Sequence, residues 1–130
     1  MNPPMLAVAL GEMRRTRELI EQTGVFAVAF CGAGQVETIT YTGAHSGRHV
    51  DKLAALGLET QPGVATDVPL VVGCSLVFEC RLAGSLRAGD HFLYTGEILA
   101  AHVSRPAIRN LLNFGGWYSP ATPVDGKREA

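Results

Sequence analysis

Only three cysteines, Cys31, Cys74 and Cys80, occur in the 130 residues, and no two of them make a C-x-x-C pair. An odd count without paired spacing excludes a disulfide framework and a zinc knuckle. Each cysteine lies in an apolar, strand-like run, which predicts buried free thiols in a reducing, cytoplasmic setting. Basic excess is lacking too, because the formal net charge is −1. A nucleic-acid partner would need a basic face, so none is expected. No apolar run approaches the roughly 18 residues that span a bilayer, so no membrane partner is expected. The opening MNPPMLAVALGEMRR has too short an apolar segment, with no basic region ahead of it, for a secretory leader. No Ser-His-Asp or paired-carboxylate spacing supports a hydrolase.

What is present suits one globular domain. Apolar residues make up 47% of the chain, and at this length folding removes roughly two-thirds of the unfolded surface from water. MLAVAL (5–10) reads as a short buried strand. RRTRELIEQTG (14–24) reads as a helix stopped by Gly24. VFAVAFC (25–31) is rich in β-branched and aromatic residues and predicts a second strand. GAGQVETITYTG fits either a short helix or an irregular crossing. DKLAALG (51–57) predicts a short helix ended by Gly57, and ETQPGVATDVP a connecting loop. Residues 70–104 predict two long strands with a turn inside AGSLRAGDH. Leu76, Phe78 and Cys80 share one parity there, and Ser75, Val77, Glu79 and Arg81 the other, which predicts a half-buried strand. Gly96 predicts a bend or bulge. The tail, 120–130, is Pro-rich, then charged, and is expected to fray. The sum is α+β, mainly antiparallel β: a barrel with short helices.

Several polar groups could carry chemistry. In HSGRHVDK (45–52), Ser46 and Gly47 could present amides to an anion, with Arg48 and Lys52 adding charge. Arg48 and Lys52 are four apart and would share a face on a helix. A Ser cap with solvated cations is the competing explanation. His45 and His49 have metal-clasping spacing but no third ligand, so no metal is expected. Arg14, Arg15, Thr16 and Arg17 stand at a helix start, where amides, hydroxyl and charge could meet an anion. His91 follows Gly89-Asp90, and Asp90 could hold its ring cationic. FGGWYSP (114–120) sets two glycines between aromatics, which could approach a flat cofactor or close the core.

Read in order, PPMLAVAL, RRTRELIEQTGVFAV, YTGAHSGRHVDKLAALGL, VPLVVGCSLVFECRL, GDHFLYTGEILAAHV and FGGWY resemble the flavin reductase-like family. The SGRxxDK block followed by GDHxxxxGEI is fairly specific, whereas any single block is weak. The likeness covers one domain, 3–119. It implies an FMN-binding split barrel of Greek-key topology with short helices, in a homodimer that holds FMN near the subunit interface. It implies NAD(P)H or a redox carrier as electron partner.

The resemblance also implies site residues. Thr16 would meet the FMN phosphate region, with Arg15 beside it. Ser46, Arg48 and Lys52 would be polar flavin contacts, Lys52 foremost. His91 would line the flavin and nicotinamide side, and Trp117 and Tyr118 would pack on the cofactor. Family members usually carry a further N-terminal segment ahead of the PP motif, with an asparagine that also contacts FMN. The sequence given begins at Met1-Asn2-Pro3-Pro4. The resemblance therefore implies a shortened barrel with an open sheet edge and weaker FMN binding. The alternative reading is a non-catalytic, weakly flavin-binding module.

Overall fold

The structure is a computed structural model that describes residues 2–114 and 117–120; the side chains of 114–118 fall outside that description. The order of elements is β1 (Met5–Gly11), α1 (Arg15–Thr23), β2 (Val25–Phe30), α2 (Val36–Ala44), α3 (Lys52–Leu56), β3 (Thr60–Gln61), β4 (Leu70–Val71), β5 (Leu76–Ala88), β6 (His91–Val103), β7 (Leu111–Phe114) and β8 (Trp117–Pro120). Pro120 ends β8, and 121–130 lie outside the described residues.

One curled antiparallel sheet, ordered β1-β6-β5-β2, forms the frame. The long β5–β6 hairpin is its spine. Its turn is Gly89-Asp90, closed by the Ala88–His91 pair. Gly89 takes φ +61° there, the sign a II′ hairpin needs at its first central residue. The ladder slips twice, between Glu79 and Cys80 and between Leu82 and Gly84. Leu99 and Ala83 are the residues left over at those slips, so each strand carries one bulge and the sheet bends. Gly96, the residue expected to bend the strand, lies beside the second bulge, which itself falls on β5.

Gly96 does a different job. A Cβ built there would stand 2.6 Å from the Phe26 ring and 3.0 Å from Cys80 Cβ. The core closes over its bare backbone: Ile20, Phe26, Cys80 and Tyr94 are buried, with Leu6, Val8, Val28, Phe78 and Ile98 packed around them. Helix α1 lies on this core through Ile20. The Tyr94 hydroxyl donates to Glu21 at 2.5 Å and ties the helix to β6. Gly24, at φ +71°, ends α1 by donating its N–H to Ile20 O at 2.8 Å.

Two expectations need correction. The β5 segment is not half-buried at its start. Ser75, Val77 and Glu79 are buried on one face while Cys80 is buried on the other. The 62–69 loop covers the first face, because Glu79 accepts hydrogen bonds from the N–H groups of Val64 (3.1 Å), Ala65 (3.2 Å) and Thr66 (3.0 Å) and from the Thr66 hydroxyl (2.9 Å). His102 Nε2 adds a bond at 2.7 Å. Burial disfavours the charged form, yet these donors, His102 first, hold the Glu79 carboxyl at about 2. The second correction concerns the cysteines: Cys80 is buried, but Cys31 and Cys74 are only half-buried. They lie just outside the strands, after β2 and before β5.

Candidate functional site

The site is assembled by two turns. The first is the entry to α1. Arg14 stands at its N-cap without a side-chain cap, and its N–H returns to Gly11 O at 3.0 Å. First-turn amides of a helix lack intrahelical acceptors and carry partial positive charge. The second is the 45–51 turn between α2 and α3. Ser46 O accepts from His49 N and Val50 N, each at 3.1 Å, and Ser46 Oγ accepts from Arg48 N at 3.2 Å. Helix α3 is capped by Asp51, whose Oδ1 accepts from Ala54 N at 3.1 Å. The cap is thus an aspartate, not Ser46, and Ser46 organises the turn instead. Gly57, at φ +61°, ends this helix.

These turns meet. Arg14, Arg15, Thr16, Ser46, Gly47 and Lys52 line one cavity of about 170 Å³. A Cβ on Gly47 would stand 3.8 Å from the Arg15 stem, which shows how closely the turns approach. Lys52 Nζ donates to Thr42 O at 2.7 Å, at the end of α2. Arg48 and Lys52 do not share a helix face. Helix α3 begins only at Lys52, so Arg48 stays in the turn and reaches across to α1. There Glu18 accepts from Arg48 Nη1 at 3.1 Å and from Arg15 Nη1 at 2.7 Å. Arg48 first, then Arg15, hold the Glu18 carboxyl at about 2, so it is ionised at neutral pH. Arg14, Arg15, Arg48 and Lys52 against Glu18 and Asp51 leave the cluster net positive.

The structure gathers Arg15, Thr16, Ser46 and Lys52 around one cavity, with Arg48 lining an adjoining cleft beside Lys52 and Leu19. Thr16 also borders an apolar cleft of about 410 Å³ between α1 and β2, lined by Leu19, Ile20, Val25 and Phe26. Arg17 turns away. It pairs with Glu21 at 3.0 Å and stacks over Phe92 at 4.3 Å. His45 caps α2 and stacks on Tyr41 at 3.9 Å, so it is not set four residues along a helix from His49. His91 is not among the residues lining that cavity; it starts β6 and pairs with Gly11 across the sheet. Its Nδ1 meets Asp90 Oδ1 at 2.8 Å, and the ring holds the Asp90 carboxyl below its usual range. Trp117 and Tyr118 lie on β8, opposite Phe114 and Asn113, and their side chains lie outside the described residues.

Glu18 was not singled out in the sequence. The Arg15–Glu18 spacing of three on a helix was the available signal. The contact to Arg48, 30 residues away, had none.

Known proteins share the fold. The family described as "Flavin reductase like domain" matches residues 1–122. An uncharacterized protein of Archaeoglobus fulgidus is 34% identical over 98 residues, covering 75% of this chain and 55% of that protein. The NADH-dependent FAD reductase of Streptomyces globisporus is 25% identical over 124 residues, covering 95% of this chain and 66% of that protein. The FMN-binding protein from Thermus thermophilus, solved with bound 1-cyclohex-2-enone, superposes with a TM-score of 0.82 at 29% identity, covering 95% of this chain and 73% of that one. The chain spans about half the length of several curated relatives it matches, 55%, 38% and 53% for three of them. Its curled antiparallel sheet with short helices is the flavin-binding split-barrel architecture, and the chain belongs to the flavin reductase-like family.

Proposed function

We propose that the chain binds FMN by its phosphate at the Arg15–Thr16–Ser46–Lys52 cavity and acts as a flavin reductase-like oxidoreductase with NADH or NADPH as donor. The observation that carries this reading is the convergence of the α1 entry and the 45–52 turn on one net-positive cavity. The donor set suits a phosphate. Arg15 offers a planar fork, Thr16 a hydroxyl, Lys52 a point charge, and the first α1 turn its amides. Arg48 is held by Glu18 as the outer wall. Bound flavin would supply the hydride-accepting ring, while the chain binds and orients it. His91 would face the nicotinamide side, and Trp117 and Tyr118 would pack on the cofactor.

The naming of the Streptomyces globisporus relative supports NADH as donor, and that of the Thermus thermophilus neighbour supports FMN. We further propose a cytoplasmic homodimer with the flavin near the subunit interface. Strands β1 and β2 are the outer strands of the sheet, where a second copy could dock. Among the described residues, no helix is long and apolar enough to cross a membrane.

The test is purification followed by flavin extraction and calorimetric titration with FMN, FAD and riboflavin. The reading expects FMN to bind more tightly than riboflavin, because only FMN carries the phosphate. Absence of binding by both FMN and FAD would overturn it. Light scattering at micromolar concentration tests the dimer.

A further inference from the structure

We propose that Cys31 and Cys74 form an oxidisable dithiol, a modification site at which hydrogen peroxide closes an intrachain disulfide between the end of β2 and the entry to β5. The proposal is independent of the flavin reading.

The backbone brackets the two residues on both sides. On one side the β2–β5 ladder ends at the Phe30–Leu76 pair and is extended by Ser75 N–H and Ser75 Oγ, which donate to Phe30 O at 2.9 and 3.0 Å. On the other side Gly32 abuts Gly73. A Cβ on Gly32 would stand 3.0 Å from Gly73 O. Gln35 clamps the same crossing, since its Oε1 accepts from Gly32 N–H at 2.8 Å and its Nε2 donates to Val72 O at 3.4 Å. Cys31 and Cys74 are thus neighbours across adjacent antiparallel segments. Each thiol is the first influence on the other, and a disulfide needs Cα atoms about 4.4–6.8 Å apart.

Reactivity is divided between the two. Cys74 lines a cleft of about 430 Å³ with Gln61, His102, Ser104 and Arg105, so a small peroxide can reach it. The Cys31 thiol beside it, then the Gln35 amide, lower the Cys74 thiol to about 7. The neighbouring Cys74 first, then burial, raise the Cys31 thiol. The thiolate is the nucleophile and Cys74 is the thiol of the pair that lines the cleft, so Cys74 attacks and Cys31 resolves. Cys80, raised by burial, is a built-in control.

The chemistry balances. The Cys74 thiolate attacks one peroxide oxygen, an S–O bond forms, the O–O bond breaks, and hydroxide leaves to take up a proton. Cys74 sulfur becomes a sulfenic acid and the peroxide is reduced. The Cys31 sulfur then attacks, the S–S bond forms, the S–O bond breaks, and the Cys31 proton leaves with the oxygen as water. Two thiols and one peroxide give one disulfide and two waters.

The test treats the full chain with hydrogen peroxide, alkylates under denaturing conditions without reductant, and reads intact mass and peptide maps. The expected result is loss of two hydrogen masses, a peptide joining Cys31 to Cys74, and an alkylated Cys80. In Cys31→Ser, a dimedone adduct should accumulate on Cys74 instead. Cys74→Ser should lose both products. Alkylation kinetics of the unsubstituted chain give a second readout that needs no variant. Cys74 should react at least tenfold faster than Cys80, with a rate that rises through about pH 7. Full alkylation of Cys31 and Cys74 after peroxide, or a disulfide joining either of them to Cys80 or to another chain, would overturn the proposal.

Discussion

Glu18 holds Arg15 and Arg48 together, with Oε2 2.7 Å from Arg15 Nη1 and 3.1 Å from Arg48 Nη1. One carboxylate on α1 thereby fixes a guanidinium from its own helix and another from a turn 30 residues on. It brings the cations into register and at the same time cancels part of their charge.

That double role predicts the behaviour of Glu18→Gln. The side chains are partly exposed, so the ion pairs add little to folding stability, and the thermal midpoint should hardly move. Phosphate affinity should rise, because an ionised carboxylate leaves the cluster. Titration with inorganic phosphate and with FMN checks this. Weaker binding would show that bracing the guanidiniums outweighs the charge removed.

Lys52→Ala should weaken FMN binding by about tenfold to a hundredfold, the loss of a charge-assisted contact worth roughly 1.5–3 kcal/mol. Riboflavin separates the two ends of the cofactor. If Lys52 meets the phosphate, riboflavin affinity stays unchanged. Equal losses for both flavins would place Lys52 at the ring, and no loss for either would leave it a structural clamp on Thr42 O.

Glu79 predicts acid sensitivity. Its folded value, about 2, lies below the ordinary 4.5. A depressed carboxyl contributes stability that is fully present above its ordinary value and is lost as pH falls toward the folded one. Urea midpoints should therefore drop between about pH 4.5 and 2. Glu79→Gln should flatten that dependence and cost about 1–3 kcal/mol at neutral pH, since a buried donor loses its acceptor. A variant with the parental pH profile would remove Glu79 as the cause.

Gly96→Ala tests the packing. The new methyl would press on the Phe26 ring and Cys80 Cβ, at 2.6 and 3.0 Å. Overpacking of this kind costs about 1–3 kcal/mol, read as a lower midpoint in chemical unfolding. An unchanged midpoint would mean that the Phe26 ring swings aside freely.

Local sequence determined the elements whose signals are short-range. Gly24 and Gly57 ended α1 and α3 because only the left-handed backbone lets their N–H groups turn back to the helix. The β5–β6 hairpin was legible because Gly89-Asp90 sits between two long β-type runs. The ordered blocks from PPMLAVAL to FGGWY were enough to identify the family. Tertiary structure alone decided the rest. Glu79 reads as the polar side of an alternating strand, but a loop of separate sequence donates four hydrogen bonds to it and buries it. Arg48 and Lys52 read as helical neighbours, but α3 starts late, and a carboxylate on α1 captures Arg48. Cys31 and Cys74 read as separate core thiols until the crossing of residues 30–32 with 73–75 brings them together. In each case the energy comes from a contact between residues far apart in the chain, and such contacts leave no periodicity to read.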